Sequence, residues 1–290
     1  MIRSLIRRLP NRYRVAGAQV IAAARRQLVS ARMLPSFLIV GAQKAGTSSM
    51  FQYLNQHPNV LRSIRKDVFY FDENSEKDLK WYSSFFPTLE EQKRREDRVG
   101  SAVMTFEGAT YYMFHPLAAQ RVKALFPQMK IIMLLRDPVK RAVSHYGHNV
   151  HGGFERLAMK DAFEKEAERL KGEAERIVRQ TGYRSYNHNH FSYLARGRYA
   201  EQIENWRSYF PSEQMLVLVG DDFFRDPDQG FRTVCRFVGL PELSLADYPK
   251  VGSGKEQTSD SAAALSFASA YFAEPNEALF KLLGKRYAWR

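Results

Sequence analysis

Residues 37–54 read FLIVGAQKAGTSSMFQYL. Phe37 to Val40 is a short apolar run, half of it β-branched, as a fully buried strand requires. Gly41 follows at once, and then Lys44, Gly46, Thr47, Ser48 and Ser49. Met50, Phe51 and Leu54 recur at helical spacing after them. The order is strand, glycine-bearing loop, helix. Such a loop aims backbone N–H groups and a helix N-terminus at an anion, most often a phosphate. Its glycines let the backbone approach, its hydroxyls donate, and its lysine supplies charge. The bland alternative is an ordinary glycine turn. Gly41 and Gly46 have the spacing of the nucleotide loop G-x-x-x-x-G-K-[ST], but Thr47 follows the second glycine and the lysine sits inside the loop. No Lys-Ser/Thr pair remains to hold a phosphate and Mg²⁺ together, which counts against a P-loop kinase.

The chain has 290 residues, 44% of them hydrophobic, enough for the core of one large α/β domain. Its net charge of +13 is unevenly placed. The first 66 residues hold 12 of the 44 Lys and Arg and no Asp or Glu, leaving 32 bases against 31 acids in the rest. The body is therefore near neutral, and no basic stripe interleaved with aromatics points to nucleic acid. Cys235 is the single cysteine, so no intrachain disulfide forms, which fits a reducing, cytoplasmic setting. No Cys/His cluster has zinc spacing, and no metal is expected. His145, His148, His151, His188 and His190 read as surface or loop histidines.

Residues 1–35 read as a basic leader, with eight arginines from Arg3 to Arg32. Its apolar stretch, Val15 to Ala24, is far short of the roughly 20 residues that span a bilayer. Residues 1–32 suit either peripheral contact with the anionic inner face of a membrane or a solvated helix packed on the domain. Residues 36–290 read as the domain itself.

Along that domain, strands are expected at Phe37–Val40, after His57, at Ala102–Phe106, at Lys130–Leu135 and at Met215–Val219. Helical patterns fall between them, at Asp78–Phe86, Pro116–Phe126, from Pro138, at Phe154–Val178, Tyr199–Tyr209, Phe231–Val238 and Ala262–Leu283, the last interrupted near Pro275. Thr181–Gly197 and Leu240–Lys255 read as loops. Strands alternating with helices imply a parallel sheet covered on both faces, with ligands beyond the strands' carboxyl ends. Two such ends carry anion chemistry. One is Gly41–Ser49. The other is Arg136-Asp137-Pro138, with Arg141 and Ser144 on the helix that follows. Two phosphate sites on one sheet point to a cofactor phosphorylated at two places.

These residues resemble the sulfotransferase family that uses 3′-phosphoadenosine 5′-phosphosulfate (PAPS), nearest its heparan sulfate branch and bacterial relatives. Gln43-Lys44-Ala45-Gly46-Thr47-Ser48 is similar to the family's 5′-phosphosulfate loop, and Arg136 with Ser144 to its 3′-phosphate motif. Asp67-Val68-Phe69-Tyr70-Phe71-Asp72 resembles that branch's Glu-Val-His-Phe-Phe-Asp, and Gly220-Asp221, Arg225-Asp226-Pro227 and Tyr271-Phe272 to Trp289 also resemble it. The resemblance implies a P-loop-like three-layer α/β fold and transfer of a sulfuryl group to a hydroxyl or amine, with 3′-phosphoadenosine 5′-phosphate (PAP) as product. It implies cofactor contacts from Gln43, Lys44, Ala45, Gly46, Thr47, Ser48, Arg136, Ser144, Tyr199 and Ser253-Gly254-Lys255. It places Arg65, Lys66, Asp67, Glu107 and Thr110 at the acceptor, a glycan or other hydroxyl-bearing metabolite. Lys44 would act on the sulfuryl group and Asp67 as base, with His115 and His145 in reserve. Asp67 stands where the relatives have glutamate, and Gly108 where the heparan enzymes have lysine. A non-catalytic, membrane-associated nucleotide-binding module is the remaining alternative.

Overall fold

The computed structural model describes residues 11–27, 30–251 and 261–289. Its centre is a four-stranded sheet of β1 (Phe37–Gly41), β2 (Phe106–Gly108), β3 (Lys130–Leu135) and β4 (Met215–Val219). The order is β2-β1-β3-β4, and every pairing is parallel. All of β1 and β2 and all of β3 after Lys130 are buried. Strands covered on both faces are apolar throughout rather than alternating, and β1 and β3 are written that way. From β1 the chain crosses to one side, to β2; from β3 it crosses to the other, to β4. Right-handed crossovers then put the connecting helices on opposite faces. The two connections diverge beyond the carboxyl ends of β1 and β3, which makes that crevice the switch point where such sheets bind ligands.

Three helices have clear local causes. Pro138–His151 starts on Asp137, whose carboxylate accepts from the amides of Val139 (2.9 Å) and Lys140 (3.1 Å), with proline at the first turn. Pro227–Val238 repeats the device with Asp226 and packs on the Thr47–Leu54 helix. Leu89–Val99 is closed by a Thr88/Glu91 capping box and ends at Gly100, whose φ of 72° suits a residue without Cβ.

Five expectations are corrected. Phe154–Val178 is three helices, Met159–Glu164, Glu166–Leu170 and Glu173–Arg179, with Gly172 at φ 75° stopping the chain before the third. The expected loop at 181–197 contains the Tyr186–His190 helix, capped by Ser185, and a single 3-10 turn at Ala195–Gly197. The third expected strand lies later than Ala102–Phe106, at Phe106–Gly108, and the one after His57 is a lone bridge from Val60 to Met104. Pro275 lies inside an unbroken helix, Ser261–Leu283, held by packing of Ala264, Ala268 and Phe272 in a second hydrophobic cluster with Val139, Phe163 and Tyr193.

The Asn11–Gln27 helix lies against the Leu79–Ser83 helix with Ala18 and Ala22 buried, and leaves Val20 and Ile21 exposed. Behind it, Arg32 donates to the Phe86 carbonyl (3.0 Å) and the Met33 amide to Pro87 (2.9 Å). Among the described residues, no helix is long and apolar enough to cross a membrane.

Candidate active site

The 43–48 loop is shaped by two left-handed residues, Lys44 (φ 68°) and Gly46 (φ 97°), on either side of buried Ala45. At Gly46 a Cβ would stand 2.5 Å from the Phe224 ring, so packing as well as backbone conformation requires glycine. Gly46 caps the Thr47–Leu54 helix without a side-chain acceptor. The amides of Gly46, Thr47 and Ser48 have no acceptor among the described residues, so the helix presents open donors at its positive end. Thr47 is buried and Ser48 half-buried.

Arg136 leaves the end of β3 and donates from Nη1 to the carbonyl of Lys44 at 3.1 Å. Its own carbonyl accepts from the Tyr199 hydroxyl at 2.8 Å. Tyr199 is fully buried and so reaches the site through Arg136. Half-buried Ser144 lies on the helix that Arg136 precedes. Burial lowers the Lys44 pKa, and the charges of Arg136 and Arg141 lower it further. Arg141, with no exposed surface, donates from Nη2 to the Tyr193 carbonyl, while its Nε and Nη1 find no partner among the described residues. Lys44, Arg136 and the enclosed charge of Arg141 thus gather positive charge at the loop and the end of β3, which suits anionic oxygens. That charge fits a ligand bearing two phosphate-type groups.

Gln43 is gripped by a residue that sequence reasoning missed. Arg196 is 3% exposed and donates from Nη1 to Gln43 Oε1 at 2.8 Å. Its Nε reaches Ser192 Oγ (2.7 Å) and its Nη2 the Asn189 carbonyl (2.6 Å). The guanidinium lies over the Tyr111 ring (4.7 Å) and the Phe114 ring (5.4 Å). Burial brings its pKa down to about 10. No local pattern announces it, because 153 positions separate the two partners.

The segment proposed for the acceptor runs beside the end of β2, at the same edge of the sheet. The Gly108 amide donates to the Lys66 carbonyl (3.2 Å), and Lys66 Nζ stands 3.3 Å from Asp67 Oδ1. The Asp67 side chain is 30% exposed. Arg65 lies over the Phe69 ring at 5.1 Å, and half-buried Thr110 follows β2. Glu107 is different. It has no exposed surface, and its carboxylate is filled by the amides of Val68 and Phe69 and the hydroxyls of Tyr82 and Tyr112. The expectation that Glu107 touches substrate is corrected on that ground.

Two histidines are also corrected. His145 is buried, and burial holds its pKa well below the ordinary value. His188 is buried, with Nδ1 2.7 Å from the Tyr111 hydroxyl, and burial takes its pKa to about 3. Ser253, Gly254 and Lys255 lie outside the described residues.

A parallel sheet with a glycine loop and an arginine at its switch point defines the class, a P-loop-like α/β protein that binds a phosphorylated cofactor. The family model described as "Sulfotransferase domain" matches residues 34–269, and the chain belongs to that family. It is similar to the membrane-associated sulfotransferase kil1 of Dictyostelium discoideum, 23% identical over 89% of this chain and 67% of that protein. It is 29% identical to heparan sulfate glucosamine 3-O-sulfotransferase 3A1 of Mus musculus, over 73% of this chain and 47% of that one. It is 30% identical to the human bifunctional heparan sulfate N-deacetylase/N-sulfotransferase 3, over 74% and 23% respectively. The chain thus spans from about a quarter to about half the length of these heparan sulfate relatives. A sulfotransferase from Alicyclobacillus acidocaldarius has the same fold, with a TM-score of 0.66, 28% identity, and coverage of 89% of this chain and 99% of that one.

Proposed function

We propose that this sulfotransferase moves a sulfuryl group from PAPS to a hydroxyl or amine of a glycan. The observation that carries the reading is the bond from Arg136 to the Lys44 carbonyl, which ties two anion-binding elements into one cradle. In this reading the amides and hydroxyls of the 43–48 loop hold the 5′-phosphosulfate, and Arg136 and Ser144 hold the 3′-phosphate. PAPS supplies an activated sulfuryl group. Lys44 sets its charge against the oxygen that becomes anionic as the old bond breaks, and Asp67 takes the proton of the acceptor hydroxyl. Transfer of this kind asks mainly for positioning and charge stabilisation, which a rigid cationic cradle provides. The heparan sulfate relatives support a glycan acceptor. Residues 36–290 would form the catalytic domain, with residues 1–35 a leader.

The reading extends to location. The exposed Val20 and Ile21, on a leader with eight arginines from Arg3 to Arg32, suit peripheral contact with an anionic membrane on its cytoplasmic side. The membrane-associated relative supports this. The functional test is incubation with PAPS labelled in its sulfuryl group and a panel of heparosan, de-N-sulfated heparan sulfate, lipids and small alcohols. Label should pass to a glycan; no transfer to any acceptor would overturn the proposal. Flotation with anionic vesicles tests the leader, and binding that survives removal of residues 1–27 would reject its role.

A further inference from the structure

We propose that Glu107 is a positioning residue for the reaction: its carboxylate holds the 68–71 turn so that Asp67 is presented at the acceptor. The inference rests on the reading of Asp67 as base. Glu107 Oε1 accepts from the amides of Val68 (2.9 Å) and Phe69 (3.2 Å) and from the Tyr112 hydroxyl (2.8 Å). Its Oε2 accepts from the Tyr82 hydroxyl (2.6 Å). The Tyr112 oxygen in turn accepts from the amides of Tyr70 (2.6 Å) and Phe71 (3.3 Å). Four successive amides, those of residues 68–71, therefore converge on one buried carboxylate and the hydroxyl bound to it. This is the geometry of a backbone nest around an anion, and here the anion belongs to the chain itself.

The turn needs such a hold. Phe69 sits at φ 60°, a left-handed conformation that a bulky residue keeps only when its surroundings over-determine it. Asn74 secures the other side, donating from Nδ2 and its backbone amide to the Phe69 carbonyl, both at 2.9 Å. Asp67 is joined to the first of the held amides by one peptide unit. Its carboxylate meets Lys66 Nζ at 3.3 Å, a neighbour on the same stretch of chain rather than an anchor from the core. The position of the base is thus set by an acid 40 residues further along, which never meets solvent.

The test compares three variants in the full chain, using PAPS and the glycan that takes up most label. Glu107→Gln keeps an acceptor oxygen for both amides, while its NH₂ can donate to Tyr82, whose hydroxyl turns round. It should retain kcat within about threefold, far inside the scale of a lost base. Glu107→Asp withdraws the oxygens by one methylene. Its kcat should fall by about 100-fold, the cost of a roughly 1 Å misplacement, with KM for PAPS unchanged. Amide exchange of residues 68–71 should quicken about tenfold in Glu107→Asp, the scale of one lost hydrogen bond, and stay as in the parent in Glu107→Gln. If Glu107→Asp does not fold, Tyr112→Phe replaces it, with the same direction expected in kcat and exchange. A Gln variant as impaired as Asp67→Asn would overturn the proposal, since Glu107 would then act through its charge. Full kcat in the Asp variant (or in Tyr112→Phe if the Asp variant does not fold) would overturn it too. Asp67→Asn with undiminished turnover would instead strike the reading of Asp67 and leave the exchange result to judge the hold on the turn.

Discussion

Arg136 and Lys44, 92 positions apart, meet where the guanidinium of one donates to the carbonyl of the other at 3.1 Å. The contact uses the lysine's backbone and leaves its ammonium for other work. It also means that the loop after β1 and the helix after β3 cannot shift independently. A ligand that fills one half of the cradle finds the other half already placed.

That coupling predicts the cofactor preference. PAP should stabilise the fold by about 2.7 kcal/mol at 100 times its Kd. AMP lacks the group meant for Arg136 and Ser144 and should do much less at equal concentration. Differential scanning fluorimetry decides it, and equal shifts from the two nucleotides would remove the two-phosphate reading.

The two cations should fail differently. Arg136→Ala loses a charged partner of the ligand, and PAP affinity should drop by about 1.5–3 kcal/mol. Lys44→Ala should chiefly lower kcat, since its contact strengthens as charge moves to the leaving group. Calorimetry with PAP beside steady-state kinetics separates the two. A Lys44→Ala enzyme with normal kcat would contradict the assignment.

Asp67→Asn keeps the shape of the side chain and cannot accept a proton. Its kcat should fall by roughly 10²–10⁴, the scale of general-base catalysis, with PAP affinity unchanged. Turnover within about threefold of the parent would send the search to another group.

Glu166 predicts a pH effect on stability. It is 3% exposed and accepts from the amides of Leu194 (2.6 Å) and Ala195 (2.7 Å), yet burial pushes its pKa up to about 7 from 4.5. A carboxyl whose folded pKa is raised holds its proton longer in the fold than in the unfolded chain. Stability from this group is therefore greatest below its unfolded pKa and declines as pH rises through the window from 4.5 to about 7. Glu166→Gln carries no charge to bury. Its melting temperature relative to the parent should rise between pH 5 and pH 8, by at most about 3 kcal/mol in free-energy terms. A constant difference across that range would show that Glu166 does not titrate there.

Much of this molecule is legible in its residues. Lys130–Leu135 and Met215–Val219 are strands at the boundaries that their apolar runs suggest, and Phe37–Val40 needs only Gly41 added. β2 is misplaced by a few residues because Phe106-Glu107-Gly108 carries a charge and a glycine, neither of which reads as strand. It pairs there because Phe106 stacks on Phe37 at 4.9 Å and Glu107 finds four donors in the interior. The single helix expected over 154–178 fails for a related reason. Its apolar residues are spaced for burial, but the helical run breaks first at Lys165 and again at Gly172, so they do not share one axis.

The residues alone specify the parallel sheet and the two motifs that suggest anion binding. Each is a short-range pattern, an apolar run followed by residues whose donors and backbone freedom suit a phosphate, and such patterns need no knowledge of distant neighbours. Packing in three dimensions separates the polar side chains left open near the crevice from those enclosed in the fold. Glu107, His145 and His188 look as available in the sequence as Asp67 does, yet they are buried and Asp67 is not. Arg196 looks like any other surface arginine until it is found holding Gln43. Exposure is a property of what packs over a residue, and the covering groups include ones far along the chain, as Val68 is from Glu107 and Tyr111 from His188.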